Sequence, residues 1–112
     1  MELQEQAMRK LVAQQFLQLT DTEFFKALGE PARVQLLAAL IESGPADIST
    51  LAERFPQDRS VISRHLSQLE SCGMVSCSKD GRHRIYSVDG QQILQNIERL
   101  SLQIRQMISG CC

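Results

Sequence analysis

Between Asp47 and Val88 the chain sets out four short structural signals in a fixed order. Asp47-Ile-Ser-Thr-Leu-Ala-Glu-Arg-Phe55 reads as a short helix capped by Asp47, with Ile48, Leu51, Ala52 and Phe55 inward and Pro56 as its stop. Asp58 caps a second helix, which Gly73 ends. Residues 74–78 and 84–88 alternate as strands do and are joined across Asp80-Gly81, a strong hairpin signal. A short helix, a tight turn, a second helix and a basic hairpin make a winged helix-turn-helix, a unit that sets its second helix in the major groove of DNA.

The flanking sequence supplies the rest of a mainly α domain with one small β-hairpin. Residues 2–19 carry Leu3, Ala7, Leu11, Val12, Phe16 and Leu19 at helical spacing. Thr20 and Glu23 fit a capping box for a short helix with Phe24, Phe25 and Leu28, ended by Gly29. Glu30-Pro31 starts another, with Val34, Leu37, Leu40 and Ile41 as its expected buried stripe and Ser43-Gly44-Pro45 as its stop. Asp89 and Gln92 open a final helix with Ile93, Ile97, Leu100, Ile104 and Met107 on one face, closed by Gly110. At 112 residues the chain is expected to be one domain. In it, 47–72 is the helix-turn-helix and 74–88 the wing, while 1–19 and 90–109 are dimerisation helices. The outer helices are more apolar than a small core requires, so they are expected to pair with each other and with a second copy about a two-fold axis. The alternative is a monomer whose terminal helices cover the core.

Winding residues 59–72 at about 100° each places Ile62, Leu66 and Leu69 on one narrow stripe. Ser60, Arg64 and Ser67 fall opposite, flanked by Val61, Ser63 and Gln68, with Arg59 at the start. Small hydroxyls permit close approach to a groove, an arginine can grip guanine O6 and N7, and a valine can touch a thymine methyl. A solvated face would more often carry Glu/Lys pairs. His65 falls at the edge of the core stripe, a packing position rather than a metal ligand. In the wing, Lys79, Arg82, His83 and Arg84 can reach phosphates or the adjacent minor groove; Arg33 and Arg54 are weaker candidates for backbone contact. Charge follows the same division. Residues 1–53 hold four Lys/Arg against eight Asp/Glu, whereas 54–84 hold six against three, so the net charge of -1 conceals a basic DNA-binding unit.

Three phrases then carry a family resemblance: Phe25-Lys-Ala-Leu-Gly-Glu-Pro-Ala-Arg-Val-Gln-Leu-Leu37, Ser63-Arg-His-Leu-Ser-Gln-Leu69 and Gly81-Arg-His-Arg-Ile-Tyr86. Together with the order of elements they resemble the ArsR/SmtB family of small homodimeric bacterial repressors, over roughly residues 20–108. The resemblance implies a winged fold of five or six helices, dimerised through the first and last helices. It also implies double-stranded operator DNA with inverted half-sites, and release by a metal ion or arsenite.

The family's inducer sites do not transfer directly. Its Cys-x-Cys of the arsenic and cadmium type has no counterpart in Asp47-Ile-Ser-Thr-Leu-Ala, and of its zinc set only Asp89 remains, with Gln91, Leu102 and Arg105 in place of the other ligands. Four thiols are left. Cys111 and Cys112 form a vicinal pair that suits As(III) or another soft ion, with Cys72 or Cys77 as a third donor. Each also has a plainer reading: Cys72 as a small residue before a helix stop, Cys77 as a small core hydrophobe, and the tail pair as incidental.

The expected function is a DNA-binding transcriptional repressor, released by arsenite or another thiophilic metal and needing no cofactor to bind DNA. The alternatives are a redox- or persulfide-sensing repressor on the same thiols, and an interaction module that never reads DNA. An enzyme is not expected, because no nucleophile, base and orienting group stand at a recognisable spacing. Without an apolar run of about 20 residues or a secretion signal, the chain is expected in the cytoplasm, away from membranes.

Overall fold

The computed structural model describes residues 2–111, Cys111 by its backbone alone. Its elements are α1 (Glu2–Leu19), α2 (Thr22–Leu28), α3 (Pro31–Ser43), α4 (Ile48–Ala52), α5 (Arg59–Ser71), β1 (Val75–Asp80), β2 (His83–Val88) and α6 (Gly90–Cys111). They form two compact units, Met1–Thr22 with Leu94–Cys112, and Glu23–Ile93. Among the described residues, no helix is long and apolar enough to cross a membrane.

The Glu23–Ile93 unit is built on one apolar cluster. Phe24 and Ala27 of α2, Leu36, Leu37 and Leu40 of α3, and Ile62, Leu66 and Leu69 of α5 meet there with Leu51, Met74 and Tyr86. The stripe predicted for α5 is fully buried, with Ile62 at 1 % and Leu66 and Leu69 at 0 % exposure. The α3 stripe is turned from its predicted position. Leu36, Leu37, Ala39 and Leu40 are buried, but Val34 and Ile41 stand 43 % and 71 % exposed. Seven apolar residues between Val34 and Ile41 leave periodicity unable to choose which arc faces the core.

The hairpin pairs Val75 with Val88 through to Asp80 with His83, so Gly81 and Arg82 form a two-residue loop. Gly81 has φ 63° and Arg82 does not have positive φ, as in the type II′ turn that suits twisted strands. The inner strand β2 gains a further partner through Tyr86, whose backbone N–H and carbonyl both bond to Ala46 at 2.8 and 3.0 Å. That bridge ties the wing to the segment leading into α4. Both strands are one residue longer than predicted, β1 starting a residue later and ending at Asp80 and β2 starting at His83.

Three predicted helix ends move. Thr20 turns its hydroxyl back to the Phe16 carbonyl, 2.6 Å away, in place of forming the forward capping box, and α2 starts at Thr22. Helix α4 stops at Ala52, before Phe55 and well ahead of Pro56. Helix α6 runs through Gly110, since a glycine only weakens a helix unless its backbone turns left-handed there.

In the unit of α1 and most of α6, the covered side of α6 carries amides. Asn96 and Gln103 are 6 % and 2 % exposed, while Ile97 and Ile104 of the predicted apolar face are 42 % and 41 % exposed. By helical winding the Ile97–Ile104 line lies roughly 100° around the helix from the Asn96–Gln103 line. Ile108, Leu94 and Leu102 are exposed as well, as are Leu3, Met8, Leu11, Leu17 and Leu19 on α1.

Candidate nucleic-acid interface

The predicted reading surface is presented by the burial of α5. With Ile62, Leu66 and Leu69 committed to the core, Ser60, Arg64 and Ser67 are left exposed and Val61 and Ser63 half-buried. Arg64 forms no ion pair among the described residues. The start of the helix is fixed by the Asp58 carbonyl, which accepts from Val61 and Ile62 N–H at 3.0 Å. The Asp58 carboxylate, the predicted cap, makes no capping bond.

Gln68 stands apart from the other predicted reading residues. Its side-chain oxygen accepts from the Arg33 guanidinium. Arg33 in turn donates to the carbonyls of Ala27 (2.9 Å) and Lys26 (3.1 Å), and its Nη1 lies 3.4 Å from His65 Nδ1. A cation on the last carbonyls of a helix supplies donors where the helical N–H ladder runs out. Arg33 therefore clamps the end of α2 to α5. Arg54 pairs with Glu42 at 3.2 Å. Nothing in the spacing of Arg33 distinguishes it from a surface arginine; its placement right after the α2 stop was the available signal.

The wing and the start of α5 converge. Arg59, Arg82, His83 and Arg84 line one hollow of about 180 Å³ with Asp47, Ile48 and Ser49. Arg59 donates to the Ser49 hydroxyl. Arg84 donates to Cys77 Sγ at 3.4 Å and lies 4.0 Å from Glu70. Lys79 is exposed opposite Arg84 in the hairpin. Three arginines and a histidine thus line one small open hollow, although the Arg84 guanidinium itself is turned to Cys77 and Glu70.

An acid also sits in this basic hollow. Asp47 caps α4 by accepting from Thr50 N–H at 2.8 Å, and its other oxygen lies 3.1 Å from His83 Nδ1. The backbone and side-chain hydrogen bonds from Thr50 hold its carboxyl below the usual carboxylate range, with His83 adding to the effect. The capping role was legible in the sequence, whereas the pairing across 36 residues was not. At the other extreme, burial raises the Tyr86 phenol above its ordinary range.

The thiols lie apart in their bonding. Cys72 donates to the Glu23 carbonyl at 3.4 Å, and Cys77 receives Arg84. Both are free and half-buried against the core cluster. Among the described residues, no group of three or more His, Cys, Asp or Glu side chains could hold a metal ion. The Cys111 side chain and Cys112 lie outside the described residues.

Fold and surface define a winged helix-turn-helix protein. Residues 30–76 match the family described as bacterial regulatory protein, arsR family. An uncharacterised HTH-type transcriptional regulator of Methanocaldococcus jannaschii is 29 % identical over 76 residues, covering 68 % of this chain and 85 % of that protein. A probable mercury resistance operon repressor of Streptomyces lividans is 34 % identical over 74 residues, covering 66 % and 58 %. The crystal structure of a possible transcriptional regulator for arsenical resistance superposes with a TM-score of 0.60 at 34 % identity, covering 76 % of this chain and 83 % of that one. The chain belongs to the arsR family of bacterial transcriptional regulators and is not an enzyme. It spans 58 % to 64 % of the length of several curated relatives that it matches.

Proposed function

We propose that this protein is a homodimeric repressor that binds an inverted-repeat operator and is released by arsenite or another soft metal ion. The observation that carries the DNA reading is the convergence of Arg59 with Arg82, His83 and Arg84 on one hollow beside the exposed face of α5. The wing and the helix start hold the phosphate backbone there, which fixes register. Ser60, Val61, Ser63, Arg64 and Ser67 then face base edges. Gln68 joins them only by giving up Arg33, so it is the weakest member of the set.

Dimerisation is supported by the ten large apolar side chains that α1 and α6 leave exposed. A surface of that kind marks an interface, and a second copy about a two-fold axis closes it without leaving an open end. We accordingly take 1–19 and 90–109 as dimerisation helices, 47–72 as the reading unit and 74–88 as its wing. A soft-metal inducer is supported by the chemistry of Cys111 and Cys112 and by relatives named for mercury and arsenical resistance. Cys72 and Cys77 are the remaining thiols, and their separate bonding makes them poorer third ligands. An ion bound at the end of α6 acts on DNA only through its different affinity for the free and bound dimers.

Changing Arg82 and Arg84 together to alanine tests the DNA reading. Each lost phosphate contact removes about one unit from the slope of log affinity against log salt. A flattened slope with the same melting temperature is the expected result, and an unchanged slope would remove the wing from the interface. Adding As(III) to the wild type and to a Cys111→Ser, Cys112→Ser variant tests the inducer. Operator release in the first and retention in the second is expected. Release by mild oxidants alone would assign the same thiols to redox sensing.

A further inference from the structure

Asp47 places a carboxylate within a hollow that otherwise gathers Arg59, Arg82, His83 and Arg84. On charge alone it opposes a phosphate. Its two oxygens are both engaged, one with Thr50 N–H and the other with His83 Nδ1. His83 makes that contact through Nδ1, and its side chain is 66 % exposed. We propose that Asp47 is a positioning residue that orients His83 toward a DNA phosphate and makes the proton a co-ligand for operator binding.

The chemistry follows from the two ring nitrogens. An imidazole that turns Nδ1 to a carboxylate carries its hydrogen there, and in the neutral ring Nε2 is then a bare acceptor. A phosphate oxygen is also an acceptor, so the neutral ring offers it nothing. Protonation places a hydrogen on Nε2 while Nδ1–H stays on Asp47, and the ring becomes a charge-assisted donor. The same proton offsets the Asp47 charge. Both effects make the protonated ring the better partner for DNA.

The charged groups around the ring fit that direction. Arg59 at the start of α5 and Arg82 and Arg84 on either side of His83 in the chain oppose a further positive charge, while Asp47 favours it. Asp80, opposite His83 in the hairpin register, adds a second carboxylate on that strand pair. A bound phosphate brings negative charge to the same hollow and raises proton uptake further. The proposal rests on the DNA reading above and adds the proton to it.

The test is operator affinity by fluorescence anisotropy at fixed salt, from about pH 5.5 to about pH 8.5, for the wild type, His83→Gln and Asp47→Asn. The wild type is expected to bind roughly three- to tenfold more tightly at the acid end. His83→Gln is expected to lose that gain. Asp47→Asn is the decisive variant, because asparagine caps a helix as well as aspartate and α4 keeps its start. Removing an acid beside DNA would by charge alone tighten binding at every pH. Positioning requires the opposite at the acid end: several-fold weaker binding than the wild type, with a flattened profile. An Asp47→Asn protein that binds more tightly and keeps the wild-type slope overturns the proposal, and so does a wild type whose affinity ignores pH. A wild type that binds no operator at any pH overturns the DNA reading itself, and this proposal with it.

Discussion

Arg33 and Arg82 show how differently two arginines of one small unit are used. Arg33 is half-buried and spends its guanidinium on the Lys26 and Ala27 carbonyls and on Gln68. Arg82 stands exposed in the hairpin loop. Arg33→Ala is expected to lower stability by about 1–3 kcal/mol, through lost hydrogen bonds to a charged group, with the salt slope of DNA binding unchanged. Arg82→Ala should do the reverse, and urea unfolding with anisotropy on both variants checks the pair. Asp47 gives a stability prediction with a definite sign. Its carboxyl titrates lower in the folded protein than in the unfolded chain. That contribution is present above the unfolded value and is lost as the pH falls through the folded one. The acid limb of a stability-against-pH curve, below about pH 4, should be shallower in Asp47→Asn. At this scale the sequence was readable for the helix cap and the α5 face, whose roles are local. The Arg33 clamp and the Asp47–His83 pair were not, because each joins residues brought together only by the folded chain.

Helices and turns were legible where one residue type leaves little choice. Gly73 shows why: it ends α5 with φ 78°, a conformation that L side chains resist. A β-carbon there would also lie 2.7 Å from Gln92 Cγ. Gly73→Ala should therefore cost about 1–2 kcal/mol from the backbone alone, measured as a lowered midpoint in urea with the cooperative transition retained. A neutral effect would mean that the chain leaves α5 by a different route. Faces were less legible than ends. On α5 only three strongly apolar residues share a stripe, so a single arc could be buried. On α3 nearly every position from Val34 to Ile41 is apolar, and the buried arc was set by what Phe24, Leu66 and Tyr86 left to fill. On α6 the sequence shows an apolar isoleucine face, yet the folded chain covers Asn96 and Gln103 and leaves Ile97 and Ile104 outside.

For the whole molecule, that displaced face is the strongest mark of a partner. Hydrophobic side chains withheld from the chain's own core have a large area to bury against a second copy. Ile97→Asp with Ile104→Asp is expected to convert a dimer to a monomer in sedimentation, with the far-ultraviolet spectrum of the Glu23–Ile93 unit kept. Operator affinity should fall with it, since two half-sites must be held together. A dimer that survives both charges would move the interface elsewhere. Whether the basic hollow and the α5 face read operator DNA is decided by binding of the wild-type protein to a labelled duplex from its own promoter, titrated over salt. Saturable binding of one dimer per duplex is expected, weakening steeply with salt and exceeding that for a scrambled duplex. Equal affinity for both duplexes, or no binding at low salt, would contradict the DNA reading.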